Sequence, residues 1–84
     1  MNIYVIYHEF YENGSYCNNK DVVYLSLDLN KAKNIFNEKV AQCLNHPDVE
    51  VETINDHYFE CCINKYAISF EIKTFELDKD YRRF

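Results

Sequence analysis

Asp28-Leu29-Asn30-Lys31-Ala32-Lys33-Asn34-Ile35-Phe36-Asn37-Glu38-Lys39-Val40-Ala41-Gln42-Cys43-Leu44-Asn45 decides the fold, because it is the one stretch whose apolar residues recur with a helical period. Leu29, Ala32, Phe36, Val40 and Cys43 follow one another at intervals of three or four, and Ile35 and Leu44 widen the stripe into a face that needs burial. Asp28 stands where a side-chain oxygen can cap the first free amides. The helix ends near Asn45, because Pro47 cannot continue it and disfavours helical geometry at His46. About 17 helical residues span roughly 25 Å.

Outward from this helix the period changes to two. Upstream, Asn2 to Phe10 is β-branched or aromatic on both parities, Ile3, Val5 and Tyr7 on one and Tyr4, Ile6 and His8 on the other, which predicts a strand with neighbours on both sides. Residues 22 to 27 are extended again, and the polar stretch around Asn13-Gly14 and Asn18-Asn19 joins the two into a hairpin with a long or bulged loop. Downstream, strands are expected at 49 to 54, 57 to 63 and 66 to 77, with turns at Asn55-Asp56 and Asn64-Lys65. In the last strand the alternation slips at Lys73-Thr74, which predicts a bulge or bend. The order ββαβββ gives an α+β domain over residues 1–84, an antiparallel sheet of four to five strands with one helix (about 29–45) packed on one face. One such helix cannot cover five strands, so several aromatic side chains are left for the opposite face, a surface for a partner or a second copy of the chain.

The bulk composition narrows the classes further. An 84-residue chain buries only about 60% of its unfolded surface. Six Phe and eight Tyr supply much of that burial, since each covers roughly 150–250 Å². No apolar run approaches the roughly 18–20 residues that span a bilayer, and the first residues lack the basic start and small-residue cleavage site of a secretion signal. The expectation is a cytoplasmic protein with no membrane partner. Cys17, Cys43, Cys61 and Cys62 show no disulfide-scaffold spacing, so free thiols packed as small hydrophobes are expected.

Charge is unevenly distributed. Between Asp48 and Glu60 lie five acids, Asp48, Glu50, Glu52, Asp56 and Glu60, with no Lys or Arg, against a net charge of −5 for the whole chain. Val49 to Ile54 reads as extended, so its carboxylates should line up along a surface and offer a basic partner a docking ribbon. Tyr58 and Phe59 are the aromatic anchors expected within it, since interface hot spots combine buried aromatics with a charged rim. With Glu71, Glu76, Asp78 and Asp80, such a ribbon resembles a string of phosphates, although alternate carboxylates on one strand are about 6.8 Å apart and duplex DNA carries a charge about every 1.7 Å. Edge protection and solubility are the plainer roles for the same acids.

Other chemistry is poorly supported. His57 and Cys61 are four apart with Cys62, His46 and Cys43 nearby, but in a strand the first two stand about 13 Å apart, too far for one metal ion. His8 and Glu9 are neighbours in a strand and point to opposite faces, and no nucleophile elbow accompanies Ser15, Ser26 or Ser69. No catalytic residue, metal site or cofactor is therefore assigned. Lys20, Lys31, Lys33 and Lys39 form at most a small basic patch, and the net acidity argues against direct nucleic-acid binding.

The opening Ile3-Tyr4-Val5-Ile6-Tyr7-His8-Glu9, the passage Leu25-Ser26-Leu27-Asp28-Leu29-Asn30-Lys31-Ala32-Lys33 and the ending Phe70-Glu71-Ile72-Lys73-Thr74-Phe75-Glu76-Leu77-Asp78 resemble a class of short uncharacterised α+β proteins of phages and bacterial genomes. The chain departs from that class in the acidic, aromatic segment from Asp48 to Cys62. The resemblance implies a mobile-element setting and no catalytic residue. Together with the acidic ribbon it leads to the expectation of a non-enzymatic inhibitor that binds a host protein with a basic surface, of the anti-CRISPR type, directed at a CRISPR effector or another nuclease complex. The alternatives are a structural or regulatory homodimer and a weak nucleic-acid-binding module.

Overall fold

The computed structural model of the chain describes residues 1–12 and 19–76. Five strands and one helix follow in the order β1 (Asn2–Glu12), β2 (Asn19–Ser26), α1 (Leu29–Leu44), β3 (Val49–Ile54), β4 (Tyr58–Ile63) and β5 (Tyr66–Glu76). All strands join one antiparallel sheet in the order β2-β1-β5-β4-β3, with α1 packed on one face. This is the α+β architecture that the alternation of periods implies.

The chain order explains the helix. β2 and β3 are the two edges of the sheet, so the connection between them has to cross its whole width. Four strand spacings come to about 19 Å and a 16-residue helix to about 24 Å, so one helix is long enough for the crossing. At its start, Asp28 is extended and its carboxylate accepts hydrogen bonds from the amides of Asn30 (2.8 Å) and Lys31 (3.4 Å). At its end the Asn45 amide donates to the Ala41 carbonyl and the His46 amide to that of Cys43, after which Pro47 turns the chain into β3.

Under the helix, residues paired across the strands share a face and form the core. Ile6 lies opposite Ile72, and Phe70 lies opposite Phe59. With Phe36 and Val40 of the helix and Cys61 of β4 these make one buried cluster, fringed by Tyr4, Tyr24, Ile35, Cys43, Val49, Ile63 and Ile68. No buried side-chain nitrogen or oxygen among the described residues lacks a partner.

Two features differ from the sequence expectation. β5 pairs with β1 in unbroken register from Glu12–Tyr66 to Asn2–Glu76, without the bulge expected at Lys73-Thr74. The apparent slip arises because Lys73 and Phe75 face the uncovered side, so apolar Phe75, 45% exposed, sits opposite Ile3 without being core. The irregularities fall instead in the edge pairings, between Ile6 and Tyr7 against β2 and between Val51 and Thr53 of β3. Leu77 and the expected loop at Asn13-Gly14 lie outside the described residues. Among the described residues, no helix is long and apolar enough to cross a membrane.

Candidate functional site

The face of the sheet away from α1 carries no covering element among the described residues, and pairing register orders its side chains into rows. One row reads Tyr58, Glu71, Tyr7 and Val22 across β4, β5, β1 and β2. The next reads Glu60, Ser69, Glu9 and Lys20, and a third reads Glu50, Cys62, Ala67 and Tyr11 across β3, β4, β5 and β1. In the opposite direction the face turns apolar, with Leu25 beside Val5, and Phe75 beside Ile3. It is therefore graded, acidic and phenolic at one end and largely apolar at the other, where Lys73 is the charged neighbour of Val5.

The acidic half is concave, and its sequence explains why. Ser69 and Ala67, both small, occupy successive outward positions of the middle strand β5, while their lateral neighbours are Glu9, Glu60 and Tyr11. Small residues flanked by large ones leave a depression of about 190 Å³, walled by Tyr7, Tyr11 and Tyr58 and rimmed by Glu9, Glu60, Glu71 and Lys20. Strand spacing places Tyr7 and Tyr58 about 10 Å apart, one on each side of Glu71.

The electrostatics of this half are dominated by its carboxylates. Burial, followed by the fields of Glu60, Glu71 and Glu9, holds the Tyr58 phenol above its ordinary pKa, while a hydrogen bond with Ser69 acts in the opposite direction. Cations are already drawn to the wall opposite: the Lys20 ammonium lies 5.1 Å and the Lys73 ammonium 5.7 Å from the centre of the Tyr7 ring. Among the described residues, no group of three or more His, Cys, Asp or Glu is placed to hold a metal ion.

The seven residues singled out in the sequence separate into distinct locations. Glu50 and Glu60 point to the open face by register, and Glu52 joins them through a 3.8 Å hydrogen bond from the Cys62 thiol. Tyr58 is half-buried at the same depression. Asp48 and Asp56 lie outside the strands, before β3 and in the β3–β4 turn, so they end up about 20 Å apart along the hairpin. Asp56 hydrogen-bonds to the exposed His57 ring at 2.9 Å, which lowers its pKa.

Phe59 is a correction. It is 0% exposed in the helix-side core against Phe70, because one step from Tyr58 along a strand reverses the face, so it cannot contact a partner. The ribbon itself is also rearranged. The carboxylates of the open face run across the sheet from β3 to β1 rather than along β3 alone; they include Glu71, which the sequence already groups with the ribbon, and Glu9, which it does not. Glu9 interrupts an otherwise apolar strand, a usable signal, since an acid in an interior strand needs a face turned to water.

The thiols are divided by the same parity. Cys61 is buried, and burial, followed by the influence of Cys43 of the helix, pushes its pKa up to about 12. Burial raises Cys43 as well. Cys62 faces the other side, in the row with Glu50. Cys43, Cys61 and Cys62 are free thiols, and Cys17 lies outside the described residues.

No protein-family model, curated protein or solved structure matches this chain.

Proposed function

We propose that this protein is a non-enzymatic binding protein that applies the acidic half of its open sheet face to a basic surface of a protein partner and so occludes that surface. The observation that carries this reading is the gathering of Glu9, Glu50, Glu60 and Glu71 from four different strands on one uncovered face, beside tyrosines that can be buried at an interface. The partner class that fits is a host protein with a Lys- and Arg-lined nucleic-acid channel, which places the protein among phage or mobile-element inhibitors of defence complexes, with a CRISPR effector as the leading example. Cytoplasmic action follows from that setting. Capture from a lysate of the bacterial host at low and at moderate salt, followed by rebinding of the purified captured protein, tests this. A salt-sensitive partner that loses binding to the doubly substituted Glu50→Lys, Glu52→Lys variant supports it, and undiminished binding of that variant overturns it.

A second reading is favoured by the other half of the face. Leu25 is 58% and Phe75 45% exposed, beside Val5 and Ile3 and bordered by Lys73, and such exposed apolar side chains are the kind a second copy of the chain covers. Leu25→Lys separates the readings. It abolishes a homodimer in light scattering and leaves the acidic half unchanged.

A further inference from the structure

We infer that the depression between Tyr7 and Tyr58 is the receptor for a single arginine side chain presented by the protein partner. The inference rests on the acidic-face reading above and names the group that the face recognises.

Size decides the class of occupant first. A depression of about 190 Å³ holds more than a bare ion, yet lies below the roughly 300–1,000 Å³ of pockets that enclose a drug-sized molecule. It suits the head of one side chain, with the rest of the ligand lying on the surrounding sheet. Charge decides next, because the carboxylates of Glu60 and Glu71 line the site together with Glu9, and they outnumber the ammonium groups of Lys20 and Lys73 that lie over its Tyr7 wall. The occupant is therefore cationic.

Two observations favour guanidinium over ammonium. The walls are phenol rings, on which a planar, weakly hydrated guanidinium stacks, and Glu60 and Glu71 stand on adjacent strands beside Ser69, where a forked donor reaches more than one acceptor. The site also carries its own evidence of cation affinity. Lys20 and Lys73 come from different strands, both are exposed, and both place their ammonium groups within 6 Å of the Tyr7 ring centre at 5.1 and 5.7 Å. These lysines occupy the outer side of the site as internal competitors, so an incoming arginine has to displace at least Lys20.

The test uses the full chain, ¹⁵N-labelled, titrated with N-acetyl-L-arginine methylamide, its lysine analogue and spermidine, and read by amide chemical shifts. The proposal expects saturable shifts centred on Tyr7, Tyr58 and Ser69, with the arginine probe binding more tightly than the other two. Ser69→Leu fills the floor without changing charge and weakens the arginine probe about tenfold or more, the scale of a desolvated cation–π contact. Should Ser69→Leu fail to keep the dispersed spectrum of a folded protein, Tyr58→Ala serves in its place with the same expected loss. Lys20→Gln removes the competitor and tightens binding.

Shifts that do not saturate, or equal binding of all three probes, overturn the proposal. So does undiminished arginine binding in the filled variant. Failure here is distinguishable from failure of the broader reading: a captured partner that is lost with Glu50→Lys, Glu52→Lys but kept with Ser69→Leu leaves the acidic face in place and removes the arginine site. Arginine binding at the depression with a partner indifferent to every substitution on this face overturns the acidic-face reading and, with it, the assignment of the arginine to that partner.

Discussion

The two faces of the sheet are built from the same five strands and solve opposite problems. Under α1 the paired residues are Ile6 with Ile72 and Phe70 with Phe59, and these four form one buried cluster with Phe36 and Val40 of the helix and Cys61 of β4. On the open face the pairs one residue away are Tyr7 with Glu71 and Tyr58 with Glu71, and Ser69 stands between Glu9 and Glu60. A single-residue step in register would exchange these sets, moving carboxylates into the core and phenylalanines into water. The fold is thus fixed by the contrast between its faces, and the face released from packing is the one that can carry a function.

The largest effect that sharpens this contrast is at Phe59. Phe59→Ala opens a cavity in the core and should cost about 3–5 kcal/mol, enough to unfold much of a domain whose total stability is of order 5–15 kcal/mol. Tyr58→Ala, one residue away on the other face, should cost about 1 kcal/mol. Urea denaturation of the two variants measures the difference directly, and equal losses would mean that the register described for β4 is wrong.

Helix α1 covers one face only if it forms, and its start depends on one side chain. Asp28→Ala removes the acceptor for the Asn30 and Lys31 amides and should destabilise by about 1 kcal/mol in the same denaturation experiment. Asp28→Asn should recover most of that.

His8 offers a pH probe of the covered face. Its ring stacks on Phe70 at 4.7 Å, and burial lowers its pKa below the usual 6.5, with Asp21 of β2 raising it and Lys39 of α1 lowering it. Protonation is therefore harder in the folded chain than in the unfolded one. This contribution to stability is complete above about pH 6.5 and is lost as the pH falls through 6.5 towards the lowered folded value. Denaturation midpoints should decline over that window in the wild type and decline less in His8→Phe.

The smallest effect is chemical. Alkylation with iodoacetamide, mapped by mass spectrometry, should modify Cys62 well before Cys61, since the Cys61 thiol is buried with its pKa pushed up to about 12. Equal rates at the two neighbours would contradict their assignment to opposite faces.

Much of this contrast was legible in the sequence, and the gaps have a common cause. Asp28, the three-and-four spacing to Cys43 and Pro47 define the helix through local interactions alone. Strand positions were equally local. Which residues share a face across strands was not, because it depends on register between segments far apart: Ser69 and Ala67 become the floor of a depression only when β1 and β4 lie on either side of β5. Phe59 is an instructive exception. The parity Phe59, Cys61, Ile63 against Tyr58, Glu60 already separates core from surface, and a grouping by adjacency in place of period two obscured it. At Lys73-Thr74 the converse holds, because an exposed Phe75 on the open face imitates a break in the alternation of an unbroken strand.

The most direct measurement compares two charge reversals of equal size on opposite sides of the molecule, Glu60→Lys on the open face and Glu38→Lys on the exposed side of α1, in binding to the purified captured partner at fixed ionic strength. Glu60→Lys should abolish or strongly weaken binding, while Glu38→Lys should leave it near wild type. Equal weakening by both substitutions, or none by Glu60→Lys, would contradict the claim that the open face is the functional one.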